Sequence, residues 1–417
     1  MFINHLTRSS RRLLPYGIRH VGTVAKQTEP ILFNRQREID YFKKRFKSKV
    51  PGLHIILGPP STGKTALMRK VVSDAGMNPL LIDLRSGQCD TPMALYYSII
   101  EQYKTFYDKL KTLSKSVKAV NMASYEIQFN ELTSGVTAGT AVTRLLCEIS
   151  SRLPQWRWWS SMDVPPPILV IDEANRFDQL SEVSPESTSV IQTFLQWMVL
   201  NTKQEQKFHI ILTSSDSFFI NWIRKYINHI HFKPYVVGDL SKENAEEFFE
   251  EHVLMKSDEP SIRKELTGQF HHIHRITGTR MFLIKQYVDQ YSVQGKFEDC
   301  LFDYYLSAYD QLQTGLYPET LKGIKPAPAW QQDDFIKAMR FIVKNADQGF
   351  VAERDLIREI GPEKLLSLVH YNFLHRRPTP IYTFDIVNPP NEPILTPMSQ
   401  PALRAMEDLL KMVDGKA

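Results

Sequence analysis

Through about residue 240 the chain alternates short apolar runs with amphipathic stretches, and beyond it the short runs nearly stop. His54-Ile55-Ile56-Leu57, Pro79 to Leu84, Ile168-Leu169-Val170-Ile171 and Phe208-His209-Ile210-Ile211-Leu212 are the main runs. Their near-continuous apolar character predicts strands covered on both faces, as in a parallel sheet. Tyr235-Val236-Val237 is a candidate last strand. Helical spacing runs up to Phe46, from Lys64 to about Asp74, from Thr91 to Leu113 and from Ser189 to Leu200. Strands alternating with helices predict an α/β fold with a parallel sheet and helices on both faces.

Residues 114–163 interrupt this alternation. They are Ser/Thr-rich and end in Trp156, Trp158 and Trp159, so they read as an insertion, part helix and part mobile loop. From Ser241 onward, Asn244 to Leu254, Ser261 to Phe270 and Thr279 to Tyr291 predict a small helical bundle. A connector from Gln294 to Trp330 carries one more helix and ends in a proline-marked linker at Pro326 and Pro328. Asp333 to Asn345, Glu353 to Ile360 and Glu363 to Phe373 then predict three short helices. Strand-like pieces at Ile381 to Val387 and Pro393 to Thr396 follow, then a helix from Pro401 to Val413. Three helices and a β-ribbon form the order of a winged-helix module. The expected partition is 1–28 as a leader, 29–240 as the α/β core, 241–325 as the helical bundle and connector, and 326–417 as the winged-helix-like unit.

Composition narrows the class. The chain has 417 residues, 42% hydrophobic and 23% charged, as expected of globular units with real cores. Its net charge of +5 is too mild for a dedicated nucleic-acid binder. The three cysteines, Cys89, Cys147 and Cys300, are far apart, which argues against a disulfide framework or a zinc site. No apolar run reaches the roughly 18 residues of a bilayer span. Residues 1–28 hold Arg8, Arg11, Arg12, Arg19 and Lys26 with no acidic residue before Glu29. An arginine-rich, acid-free segment with Phe2, Ile3, Leu6, Leu13 and Leu14 on one face predicts a mitochondrial transit peptide, and hence a matrix location, the alternative being a disordered basic tail of a cytosolic or nuclear protein.

The chemistry is concentrated in three strand ends. Gly58-Pro59-Pro60-Ser61-Thr62-Gly63-Lys64-Thr65 is a complete GxxxxGKT match between a predicted strand and a helix that continues through Ala66. In this context the backbone N–H groups and the helix amino terminus cradle phosphates. Lys64 reaches the β- and γ-phosphates, and the Thr65 hydroxyl ligates Mg²⁺. The strand at Ile168–Ile171 delivers Asp172 to the Mg²⁺ shell, and Glu173 to a water that attacks the γ-phosphate. That pair favours hydrolysis over transfer to a small molecule. Leu212-Thr213-Ser214-Ser215 ends the next strand, with Thr213 or Ser215 as the polar group between Glu173 and the γ-phosphate.

These elements together resemble the archaeal-type ATPases close to AAA+ proteins and signal-transduction NTPases, over most of the chain after residue 30. Leu32-Phe33-Asn34-Arg35-Gln36-Arg37-Glu38-Ile39 is similar to that family's FVGREKEL box, with Asn34 where glycine is usual. The resemblance implies that this box packs near the adenine, that Tyr235 to Ser241 hands over from the sheet to a helical lid, and that the base is adenine, since no NKxD motif is evident. Arg280 stands where relatives carry a Gly-x-Pro turn or a sensor arginine, which leaves two roles open: contact with the γ-phosphate, or capping of the lid helix. Ser215 stands where many signal-transduction NTPases have arginine. Arg176 and Arg224 are candidates for a trans-acting arginine only by proximity, so an oligomer is compatible with the sequence but ring assembly does not follow.

The reading is an ATP-driven switch or remodeller acting on a protein partner. Its rivals are a DNA-binding ATPase of mitochondrial nucleic-acid maintenance and a nucleotide-binding scaffold with negligible hydrolysis. The candidate DNA-reading helix, Glu363 to Phe373, offers Lys364, Ser367, His370 and Asn372, with His375-Arg376-Arg377 following to meet phosphates. Asp385, Glu392, Glu407 and Asp408 make that surface mixed, so nucleic acid is not favoured.

Overall fold

A computed structural model describes residues 32–48, 50–114, 136–162, 164–256, 259–321, 323, 326–378, 383 and 385–415. All of these belong to one compact unit, 32–417. The expected transit peptide lies outside the described residues, as do 115–135 of the expected insertion.

Five strands form the central sheet: β1 Leu53–Leu57, β2 Asn78–Asp83, β3 Pro167–Asp172, β4 His209–Ser214 and β5 Phe232–Val236. Their order is β2-β3-β4-β1-β5, with all pairs parallel. Every residue of β1, β3 and β4 is buried, the physical counterpart of their unbroken apolar runs. In a parallel sheet every carboxyl end points the same way, so the loops after the five strands share one rim. The chain order reverses around β1 and β4, and ligand crevices form where it does.

Local chemistry explains the flanking helices. In Gln36–Phe46 the residues Ile39, Phe42 and Phe46 are buried on one face. Lys64–Asp74 begins on Gly63, whose backbone is left-handed at φ 85°. Of the expected insertion, Ala138–Arg152 and Trp156–Ser161 are helical. Trp156 and Trp159 are buried in the sheet core, and the Trp156 indole N–H donates to the Ser48 carbonyl at 2.9 Å. Helices Arg176–Val183, Phe219–Ile223 and Phe270–Thr277 were not legible from spacing. Each is eight residues or fewer, too short to show a period.

Past Ser241 the elements are helical except for a second sheet, β6 Val351–Ala352, β7 Leu374–Arg377 and β8 Ile394–Pro397. It is antiparallel in the order β6-β8-β7. The first ribbon strand among the described residues is Leu374–Arg377; of the expected strand Ile381 to Val387, residues 381, 382 and 384 lie outside the described residues, and 385–387 form a turn and bends. His375-Arg376-Arg377 reads as solvated charge in sequence, whereas tertiary contacts bury His375 and Arg377 and pair both arginines. The helices after 241 and this sheet share one apolar core that also includes Phe33. The described residues thus form two large cores, one around the parallel sheet and one around the C-terminal helices and second sheet, with a small cluster of Phe350, Ile386 and Ile394 beside them.

Candidate functional site

The loop after β1 is shaped by close backbone approach. A Cβ on Gly58 would lie 2.2 Å from the Val237 carbonyl oxygen, so a side chain there would push the loop away from the segment after β5. Thr62 is buried and its hydroxyl donates to the Pro59 carbonyl at 3.0 Å. Lys64 is also buried, and its ammonium donates to the carbonyls of Gly58 and Pro59 at 2.9 Å each. Burial pushes its pKa down to about 8, opposed by the nearby carboxylates of Glu173 and Asp172.

Asp172 is the hub. The carboxylate is fully buried and accepts from the Thr65 hydroxyl at 2.9 and 2.8 Å and from the Thr213 hydroxyl. β3 and β4 are neighbours, which is why residues far apart in sequence meet here. Thr213 also receives the Glu173 backbone N–H at 3.3 Å, and its carbonyl accepts from Ala174 at 2.7 Å. Glu173 sits at φ 54°, a left-handed conformation rare for this side chain. The Ser215 hydroxyl donates to its carboxylate at 2.6 Å. Both candidates at the end of β4 therefore reach the carboxylate pair, Thr213 at Asp172 and Ser215, just past the strand, at Glu173.

One cation of the site escaped the sequence reading. Arg85, just beyond β2, reaches Asp172 at 2.5 Å. Strand order could have exposed it, but order is not written in local spacing.

The opposite wall is built from ion pairs. Arg35, buried, donates to the carbonyls of Thr62 at 3.2 Å and Gly238 at 2.7 Å and pairs with Glu38 at 3.0 Å. The box at 32–39 is thereby fastened to the phosphate loop. Its Phe33 ring packs on Phe248 and His252 of the lid, with centroids 5.5 and 4.6 Å apart. Asn34 adopts φ 42°, which suits a position where glycine is usual.

Arg280 binds Asp239 through two bonds, at 2.9 and 3.1 Å, and the Met398 carbonyl at 3.0 Å. It is the residue at the start of the helix Met281–Gln294, and its side chain makes no capping bond there. The arginine instead ties the end of the sheet to the C-terminal segment. Burial pushes the Asp239 carboxyl up, and Arg280 overrides that to leave it lowered.

β7 completes this wall. Arg377 pairs with Asp385 through two 2.9 Å bonds, and Asp385 fills the space over Gly238, where a Cβ would lie 1.9 Å from Oδ1. Arg376 binds Glu353 at 2.7 Å, and its backbone N–H donates to the Ser217 hydroxyl at 3.1 Å. His375 is 2% exposed, and its pKa is well below the ordinary value, chiefly from burial and then from Arg377, Lys64 and Arg280. The expectation that His375, Arg376 and Arg377 meet external phosphates is corrected by this burial and pairing. Lys364 of the expected reading helix is likewise paired, with Asp334 at 2.8 Å.

Arg176 and Arg224 make no side-chain bond to Asp172 or Glu173 among those identified. Among the described residues no His/Cys/Asp/Glu cluster could hold a metal by itself. The Thr65 hydroxyl and Asp172 carboxylate do offer adjacent hard oxygen donors. That fits a magnesium ion that keeps waters and substrate oxygens in its shell.

Residues 32–285 match the family described as an ATPase domain predominantly from Archaea. The chain belongs to this ATPase family. An uncharacterized ATP-binding protein of Pyrococcus abyssi is 25% identical over 235 residues, covering 54% of this chain and 65% of that protein. A mitochondrial escape protein 2 homolog of Dictyostelium discoideum is 24% identical over 226 residues, 49% of this chain and 24% of that protein. The chain thus spans less than two thirds of either relative. A solved Walker-type ATPase of Pyrococcus abyssi shares the fold at TM-score 0.52 and 14% identity, covering 90% of this chain and 96% of that one. As a member of the archaeal ATPase family the chain carries an ATP-binding P-loop domain. Among the described residues no helix is long and apolar enough to cross a membrane.

Proposed function

We propose that this ATPase-family chain hydrolyses Mg-ATP and works as a nucleotide-driven switch. The observation that carries hydrolysis is the Ser215 hydroxyl bound to Glu173 at 2.6 Å beside Asp172. It fixes a carboxylate next to the metal-ligand position, where it can accept a proton from an attacking water. Lys64, released from the Gly58 and Pro59 carbonyls, would meet the β- and γ-phosphates, while Thr65 and Asp172 would hold magnesium. Magnesium, when bound, offsets charge that builds on the phosphoryl oxygens. Thr213 orients Asp172 and, through the Glu173 N–H, the strained turn that aims Glu173.

The switch reading draws support from the second core. β7 abuts the rim through Ser217 and through Asp385 over Gly238, so a change in the loops after β4 or β5 would bear on the C-terminal unit. That unit reads as a winged helix packed on its own ATPase, with a protein as partner. The acid-free leader and the mitochondrial escape protein relative favour a mitochondrial location.

The test is Mg²⁺-dependent ATP turnover by wild type and Glu173→Gln, with nucleotide binding measured alongside. Turnover by wild type, and ATP binding without turnover by the variant, is the expected result. Equal turnover by both would remove Glu173 from the mechanism.

A further inference from the structure

Asp172 bonds to three side chains, and only two of them come from the elements that build the P-loop and β4. The third, Arg85, lies on the short turn Leu84–Ser86. Its presence is a consequence of sheet order. β2 is the edge strand beside β3, and Asp83 lies in register with Asp172, so the two carboxylates end adjacent strands side by side. A buried carboxylate facing another across 4.7–4.9 Å of strand spacing needs a cation between them.

Arg85 is held for that position. Asp83 Oδ1 accepts from the Arg85 backbone N–H and from Nε, both at 3.0 Å, and Oδ2 accepts from a terminal nitrogen at 3.1 Å. The same terminal nitrogen then lies 2.5 Å from Asp172 Oδ2. The Arg85 side chain is 50% exposed, whereas that of Asp172 is 1% exposed, so the arginine can swing outward without disturbing the core.

We propose that Arg85 is a built-in counter-ion of Asp172 that must be given up when magnesium loads, a cis-acting cation that sets the metal requirement of the site. The proposal rests on the reading of Asp172 as a metal ligand. Oδ2 of Asp172 already accepts from both Thr65 and Arg85, so a divalent cation bound there competes with the guanidinium for a lone pair and is repelled by its charge. The exchange is reversible. On leaving Asp172 the half-exposed guanidinium turns to solvent and is not stranded, and it returns when the metal departs. Arg85 thereby holds Asp172 in place in the metal-free protein and lowers the site's affinity for magnesium. It is a positioning residue, and its effect is on metal loading.

The experiment titrates Mg²⁺ into the full chain with a fixed concentration of a fluorescent ATP analogue, reading the Mg²⁺ concentration for half-maximal signal. Wild type is compared with Arg85→Gln, Arg85→Lys and Asp172→Asn. Arg85→Gln is expected to reach half-signal at about 5- to 10-fold less Mg²⁺, within the usual range of a coupling between two ligands at one site. Arg85→Lys, which keeps a charge but not the fork, should fall between it and wild type. An unchanged Mg²⁺ requirement in Arg85→Gln overturns the proposal, and a raised one overturns it by showing that Arg85 assists loading. The underlying reading fails separately: if Asp172→Asn leaves the wild-type Mg²⁺ dependence intact, Asp172 is not the metal ligand. The melting temperature of Arg85→Gln is expected to fall without metal, where the buried Asp172 loses its counter-ion, and to recover with saturating Mg²⁺ and analogue; a loss that they do not restore marks misfolding.

Discussion

The two walls of the site handle charge differently. On the sheet wall Asp83 and Asp172 share one arginine, and Glu173 is held only by a serine hydroxyl among the bonds identified. On the lid wall each cation has its own carboxylate: Arg35 has Glu38, Arg280 has Asp239 and Arg377 has Asp385. Groups left partly uncompensated are available to a ligand, whereas fully paired and buried groups fasten elements together. The contrast separates a wall suited to chemistry from a wall suited to coupling.

The largest expected effect breaks the first wall. Glu173→Gln should lower turnover by about 10²- to 10⁴-fold, the usual worth of a positioned proton acceptor, while stability and ATP binding stay near wild type. A turnover assay with a parallel binding measurement checks it. Next in size is the second wall. Arg377→Met leaves Asp385 buried and unpaired and should cost about 3–5 kcal/mol, read as a lower denaturation midpoint. Removing both charges, with Arg377→Met and Asp385→Leu together, should recover much of that loss. If Arg377→Met instead lowers turnover with no loss of stability, the division between the walls fails.

Acid tests a third region, the far end of the same sheet. His54 and His209 lie on adjacent central strands with ring nitrogens 3.3 Å apart. Burial lowers both pKa values, that of His209 to about 3. The unfolded chain then binds more protons than the folded one below about pH 6.5, so stability falls as pH drops from there towards 3. The loss should amount to a few kcal/mol and should be blunted in His209→Asn, as read by denaturation at a series of pH values. The smallest effect is the most local. Ser215→Ala removes one bond to Glu173 and should reduce turnover about 3- to 10-fold, with the metal requirement unchanged.

Much of the sheet wall was legible because strands are simple delivery devices. An apolar run that ends in Asp172-Glu173 or in Thr213-Ser214-Ser215 puts those side chains on the rim once the sheet is parallel, and the GxxxxGKT match carries its own turn and helix start. Asn34, standing where glycine is usual, has a left-handed backbone that local spacing did not show. Arg85 was not legible, since its role depends on β2 lying next to β3. His375-Arg376-Arg377 was misread for a related reason. A run of basic residues normally stays solvated, and only partners distant in sequence, Asp385 and Glu353, allow it to be buried.

What the sequence determined by itself is the α/β alternation, the phosphate loop and the identity of the carboxylate pair, because each rests on periodicity or on residues adjacent in the chain. What only the tertiary structure decided is which charges face one another. A buried ion pair is set by the position of both partners, and here those partners lie as far apart in sequence as Arg280 and Asp239 or Arg85 and Asp172.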